Sequence, residues 1–182
     1  MLYLASQSPR RRELLGQIGT VFRTLDVDVE EIRRADESPD DYVVRVALDK
    51  VRAGYEQVRG EADATVLSAD TEVILGDEVF GKPRDAADAA AMLERLSGRE
   101  HRVVSAVWVK GERGEVAVST VRFATLAAAD IQAYVDTGEC FGKAGAYAIQ
   151  GRAAAFIAHL SGTYSGVMGL PLHETYRLLR GQ

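Results

Sequence analysis

With a single cysteine, Cys140, among its 182 residues, the chain cannot form an internal disulfide. One thiol suits a reducing compartment, and the sequence predicts a cytoplasmic protein. Long apolar runs are missing as well: none approaches the roughly 20 residues that a membrane span requires. The start, MLYLASQSPRRR, does not have the order of a secretory leader, because its apolar run is only about four residues long and its positive charges come after it. Positive charge is in deficit, with 22 Lys and Arg against 27 Asp and Glu and a formal charge of −5. That balance argues against a broad nucleic-acid surface and makes any anionic ligand depend on a local basic cluster. The histidines, His101, His159 and His173, lie far apart. Zinc-type spacing is thereby excluded, and a metal would be a hard divalent cation on carboxylates. There is no internal repeat and no low-complexity segment. The length fits one domain, residues 1–182, or two lobes sharing one sheet.

Apolar runs and turn residues predict strands at 2–5, 22–29, 65–69 and 153–160. They also predict a small hairpin, 72–75 with 79–80, around Gly76-Asp77. A longer hairpin joins 102–109 to 115–124 through a turn at 111–114. Helices are expected at 9–18, 39–58, 86–96, 129–136 and 171–179. Ser8, Ser38 and Asp85 stand as N-caps, with Pro9 and Pro39 at first helical positions. Hairpins and crossovers together give an α/β fold with a mixed sheet. Two stretches, 142–151 and 161–169, are rich in glycine and polar residues, as binding loops often are.

Several residues break local rules. Arg10, Arg11 and Arg12 crowd the first turn of a helix, where partial positive charge favours acids. They form either a phosphate site with the free backbone N–H groups or a solvated basic patch. Ser68-Ala69-Asp70-Thr71 follows an apolar strand. Asp70 there could accept a proton or hold a metal, or it could simply make an Asx turn. GDEVFGK at 76–82 imitates a P-loop but is followed by Pro83 instead of Ser or Thr, so that reading is rejected. Lys82 can still reach a phosphate as a point charge. Lys50 lies on the apolar stripe of its helix with Val46 and Ala47, where spacing alone favours a lysine snorkelling from the core edge. Glu30-Glu31 reads as solvated charge or as one ligand to a metal. Lys143 and Gln150 bracket KAGAYAIQ; the Gln150 amide could read a base edge or merely brace the loop.

Taken in order, LASQSPRRRELL, SADTEVILGDEVFGKPRD, LSGREHRVVSAV, KAGAYAIQG and YSGVMGLPLHET resemble the Maf family of nucleoside triphosphate pyrophosphatases over nearly the whole chain. KAGAYAIQG is similar to the branch acting on dTTP and UTP. The resemblance implies an elongated mixed sheet with flanking helices, two lobes around a central cleft, and a homodimer. It implies hydrolysis of the triphosphate to the monophosphate and pyrophosphate with a divalent metal, magnesium or manganese. By position, Ser6, Arg10 and Arg11 fall on the phosphate-binding motif, and Asp70 on the proton acceptor. Lys50 and Lys82 fall on basic active-site positions and Glu31 on an acidic one. Thr71 and Gln150 fall on specificity positions. A metal would then sit near Glu31 or Asp70. Ser68 and Gly142 depart from the family's commoner Gly and Asp, and Arg12 takes no role. Two rival readings remain: a house-cleaning pyrophosphatase for ITP or XTP, and a nucleotide-binding regulator of cell division without turnover.

Overall fold

The computed structural model describes residues 1–109 and 113–181. Its strands are β1 (Leu2–Ala5), β2 (Phe22–Leu25), β3 (Thr65–Leu75), β4 (Glu78–Phe80), β5 (Glu100–Val109), β6 (Arg113–Phe123) and β7 (Ile157–Ser161). Its α-helices are α1 (Pro9–Gln17), α2 (Pro39–Gln57), α3 (Ala86–Leu96), α4 (Ala128–Val135), α5 (Tyr164–Met168) and α6 (Leu172–Leu179). The strands form one seven-stranded mixed sheet in the order β2-β1-β3-β5-β6-β7, with β4 also paired to β3.

β3 organises the molecule. Along one edge it pairs antiparallel with β5 from Leu67 to Ile74. Along the other edge, Thr65 to Leu67 pair parallel with β1, and Val73 to Leu75 pair antiparallel with β4. Among the described residues, no strand pairs with 68–72 on that second edge. The sheet therefore has a gap in its interior, at the carboxyl end of β1.

Helices cover both faces. α2 opens with Ser38, whose side chain accepts from Asp41 N at 3.1 Å. It buries a stripe of Tyr42, Val43, Val46, Ala47, Lys50, Val51 and Gly54 against one face. Gly54 permits the closest approach, since a Cβ there would lie 2.8 Å from Ala5 Cβ and 2.9 Å from Val66 Cγ1. On the opposite face, α1, α5 and α6 pack with Leu4, Leu67, Ala69 and Val107 in one apolar core. Leu93, Leu96, Ile131 and Tyr134 of α3 and α4 pack with Val73, Val103, Val121 and Phe123 in a second. The sheet runs through both cores.

The structure departs from the expected elements in five places. The strand at 22–29 stops at Leu25, and residues 26–34 lie outside any strand or helix, with Val27, Asp28, Val29 and Glu31 lining the cleft described below. The strand at 65–69 continues to Leu75, so Ser68 to Thr71 form neither a strand end nor an Asx turn. Ser68 and Thr71 can occupy this central strand because each finds a partner: Ser68 Oγ donates to Ala47 O at 2.6 Å, and Thr71 Oγ1 shares a hydrogen bond with Ser105 Oγ at 2.6 Å. The strand at 153–160 begins with a 3₁₀ turn over Arg152–Phe156. The loop at 161–169 contains α5, capped by Thr163. Finally, the Ser8 side chain does not cap α1. The backbone N–H of Ser8 instead donates to Ser6 Oγ at 3.2 Å. Residues 111 and 112 of the expected long turn lie outside the described residues, while β5 and β6 pair on either side as expected, from Glu100 with Arg122 to Val109 with Arg113.

Candidate active site

The gap in β3's edge opens into a cleft of about 850 Å³. All nine residues that the resemblance gives a site role line it: Ser6, Arg10, Arg11, Glu31, Lys50, Asp70, Thr71, Lys82 and Gln150. Arg12 does not, and is exposed on α1. The gap admits side chains from both faces of the sheet. Alternation along β3 sends Asp70 and Glu72 toward α2 and Thr71 toward α5.

On the α2 side, Lys50 is 8% exposed, and its Nζ lies 2.8 Å from Asp70 Oδ1 and 2.5 Å from Glu31 Oε1. It therefore does not snorkel outward. It is a buried cation bridging two carboxylates. Lys82 Nζ reaches the other Glu31 oxygen at 3.5 Å. Burial acts to raise the Glu31 carboxyl, but Lys50 and then Lys82 outweigh it and hold it below the usual carboxylate range.

Glu72 belongs to the same group and was not singled out by sequence. It is buried, and its Oε2 has no hydrogen-bond partner. Burial, followed by the charges of Asp70 and Glu31, pushes its carboxyl up to about 8. The available signal was the polar alternation Ser68, Asp70, Glu72 along one strand face, which is legible only if the strand is carried past residue 69.

On the opposite side, the turn after β1 brings α1's first residues to the gap. Arg11 is half-buried. Its Nε donates to Gly169 O at 2.8 Å, and its terminal nitrogens donate to Ser6 Oγ and Thr71 Oγ1, each at 3.4 Å. Thr71 is fixed in turn by Ser105, whose hydroxyl donates to Gly166 O at 2.7 Å. The glycine-rich stretch at 161–169 thus anchors an arginine through main-chain carbonyls. Burial, and then the like charge of Arg11, lowers the Arg10 guanidinium from its ordinary range. Burial and then Arg10 do the same to the Lys143 ammonium. No ion pair among the described residues engages Arg10, Arg11 or Lys143. The cleft therefore has a charge-compensated end at Lys50, Glu31 and Asp70. It also has cations without an ion pair among the described residues beside the start of α1, which no side chain caps. That combination suits a polyanion.

The donors suit a hard divalent cation, since Glu31, Asp70 and the bare Glu72 Oε2 offer only carboxylate oxygen. Among the described residues, no three such groups converge as a ready-made cage, because Lys50 stands between Glu31 and Asp70.

The far wall is the segment 142–151. Gln150 is exposed to the cleft, and its carboxamide makes no hydrogen bond among the described residues, so it does not brace the loop. Tyr147, also on this wall, meets His101 of β5, Nε2 to Oη at 2.9 Å. His101 is 2% exposed, and burial lowers its pKa to about 4. The unfolded chain takes up this proton near pH 6.5, and the folded chain only near 4. The stability tied to neutral His101 is therefore present above pH 6.5 and is lost as pH falls toward 4. At about 1.4 kcal/mol per unit, the loss is about 3 kcal/mol. From pH 7 to 4 the parent is expected to lose stability relative to His101→Leu by that order, read as a change in the difference between their denaturation midpoints. Parallel curves would remove His101 as the source.

A cleft of this charge pattern, set in a mixed sheet, defines a protein built to hold an anion of several charges. The family follows from comparison: the model for Maf-like protein matches residues 1–182, and the chain belongs to the Maf family. It is 58% identical to a protein of Xanthomonas euvesicatoria pv. vesicatoria (strain 85-10) called dTTP/UTP pyrophosphatase, covering 98% of this chain and 97% of that one. A Ralstonia nicotianae (strain ATCC BAA-1114 / GMI1000) protein of the same name is 55% identical, covering 98% and 92%. A Xylella fastidiosa (strain 9a5c) protein called nucleoside triphosphate pyrophosphatase is 52% identical, covering 98% and 97%. Among the described residues, no helix is long and apolar enough to cross a membrane.

Proposed function

We propose that this chain hydrolyses nucleoside triphosphates, dTTP and UTP foremost, to the monophosphate and pyrophosphate. One observation carries the reading. A carboxylate held by a buried lysine, Asp70 with Lys50, shares a cleft with arginines that make no ion pair among the described residues, at an uncapped helix start. The relatives' names point to the same chemistry.

In the proposed reaction, Arg10, Arg11, Lys82 and the α1 N–H groups hold the triphosphate. Asp70 accepts a proton from water as its oxygen bonds to the α-phosphorus. The bond from that phosphorus to the α,β-bridging oxygen breaks, and pyrophosphate leaves. Lys50 fixes Asp70 through Oδ1, so Oδ2 is the oxygen for water. The cations face charge that grows on the leaving group. A divalent cation, magnesium or manganese, held on Glu31 and Asp70, would neutralise phosphate charge. We further propose a cytoplasmic homodimer, for which light scattering should give about twice 19.8 kDa.

Turnover of a triphosphate panel with product identification tests the reading. Nucleoside monophosphate and pyrophosphate are expected, with UTP and dTTP ahead of ITP and XTP. Release of orthophosphate and a diphosphate would refute it, and so would tight binding with no turnover.

Gln150 is proposed to read the base. One carboxamide can donate to a uracil or thymine carbonyl and accept from the ring N–H, a pairing that cytosine reverses. An unpaired polar group in such a site costs roughly 1–3 kcal/mol, a preference of about tenfold to a hundredfold for UTP over CTP. Gln150→Ala should narrow that ratio of kcat/KM more than it lowers UTP turnover. An unchanged ratio would place base choice elsewhere.

A further inference from the structure

His101 is an expensive residue to bury. The apolar core around it contains Val103, Val121 and Phe123, and an aliphatic side chain would fill the same space without desolvating two ring nitrogens. Its Nδ1 is buried with no partner. Its Nε2 meets Tyr147 Oη at 2.9 Å. One hydrogen bond joins the two side chains, and the imidazole tautomer sets which of them donates. The rings of His101, Phe123 and Tyr147 pack edge to face in a closed triangle, with centroids 5.1, 5.5 and 4.9 Å apart. Tyr147 is thus fixed both in depth and in rotation.

The backbone leading to Tyr147 is strained. Gly145 has φ +67°, and Ala146, which has a side chain, has φ +59°. An alanine in the left-handed region persists only where its surroundings impose it. Four anchors do so here. Gly145 N donates to Gly81 O at 3.1 Å, and Ala148 N to Tyr134 Oη at 3.2 Å. Arg152 N donates to Glu139 Oε2 at 2.8 Å. The His101–Tyr147 bond is the fourth, and the one that ties the wall to β5 of the central sheet. A Cβ on Gly145 would lie 2.9 Å from Val73 Cγ1, so the turn sits directly on β3, three residues beyond Asp70. Three residues after Tyr147 comes Gln150, lining the cleft.

We propose that His101 is a positioning residue for base selection: its hydrogen bond to Tyr147 holds the strained turn at 145–147, and that turn sets where Gln150 meets the nucleobase. This rests on the pyrophosphatase reading and extends it to a residue that does not line the cleft.

The test uses ratios, because the UTP to CTP ratio of kcat/KM does not depend on the fraction of active protein. His101→Leu and Tyr147→Phe should each shrink the ratio at least threefold, mainly through a higher KM for UTP. The combined variant should be no worse than the poorer single one, as for two halves of one contact. His101→Gln, whose amide nitrogen can reach the place of Nε2, should restore most of the ratio. If the ratio holds in His101→Leu and Tyr147→Phe while melting temperature falls, the pair only supports the core and the proposal is overturned. If the parent fails to hydrolyse UTP or does not distinguish it from CTP, the functional reading fails separately. Amide exchange at 144–150 then decides the anchoring: faster exchange in His101→Leu supports it, and unchanged exchange overturns it.

Discussion

Asp70→Asn is expected to lower kcat for UTP by about 10²- to 10⁴-fold, the usual contribution of a well-placed general base. The residue is 5% exposed and its side chain nearly isosteric with asparagine, so the strand should keep its form. Lys50 loses the charge of one partner at 2.8 Å but keeps Glu31 at 2.5 Å, which limits the penalty for unpairing a buried charge. The kinetic loss should therefore far exceed any loss of stability. KM is expected to change little, because the cations that hold the triphosphate are untouched. Steady-state kinetics with a matched melting curve checks this. If more than about a tenth of the activity remained, Asp70 would be excluded as the proton acceptor.

Arg11→Ala should cost about 10²-fold in kcat/KM, shared between a raised KM and a lowered kcat. Removing one preorganised donor to a charged transition state has that order of effect. Arg11 is held by Gly169 O, Ser6 Oγ and Thr71 Oγ1, so its guanidinium is oriented before substrate arrives. Arg11→Lys should recover little, since an ammonium cannot reproduce the fork that spans these acceptors. Arg12 provides the comparison. It occupies the same helical turn, is exposed, and lies outside the cleft. Arg12→Ala should change kcat/KM less than twofold and raise stability by a few tenths of a kcal/mol, by removing a cation from a helix N-terminus. Equal losses in Arg11→Ala and Arg12→Ala would mean that the three arginines act only as a diffuse basic patch.

The sequence by itself determined the elements whose signals are local. Strand, proline and arginine run stand in order at 2–17, and two cations of that run, Arg10 and Arg11, line the cleft. Ser38 and Asp85 predicted their helix starts, and both cap as expected. Gly76-Asp77 predicted its hairpin. Tertiary structure decided what depends on partners distant in the chain. A strand that carries Ser68, Asp70, Thr71 and Glu72 through its centre is improbable from composition. It is stable here because α2, β5 and Arg11 supply those side chains with partners 20 to 60 residues away, while Glu72 Oε2 alone is left bare. Lys50 sits on a helical stripe that reads as core, and only the approach of β3 and of residue 31 turns it into a bridge between carboxylates. The cleft itself is encoded in no single segment. It exists because β1 ends and β4 begins at separate points along the same edge of β3, and such a gap is a property of pairing between strands.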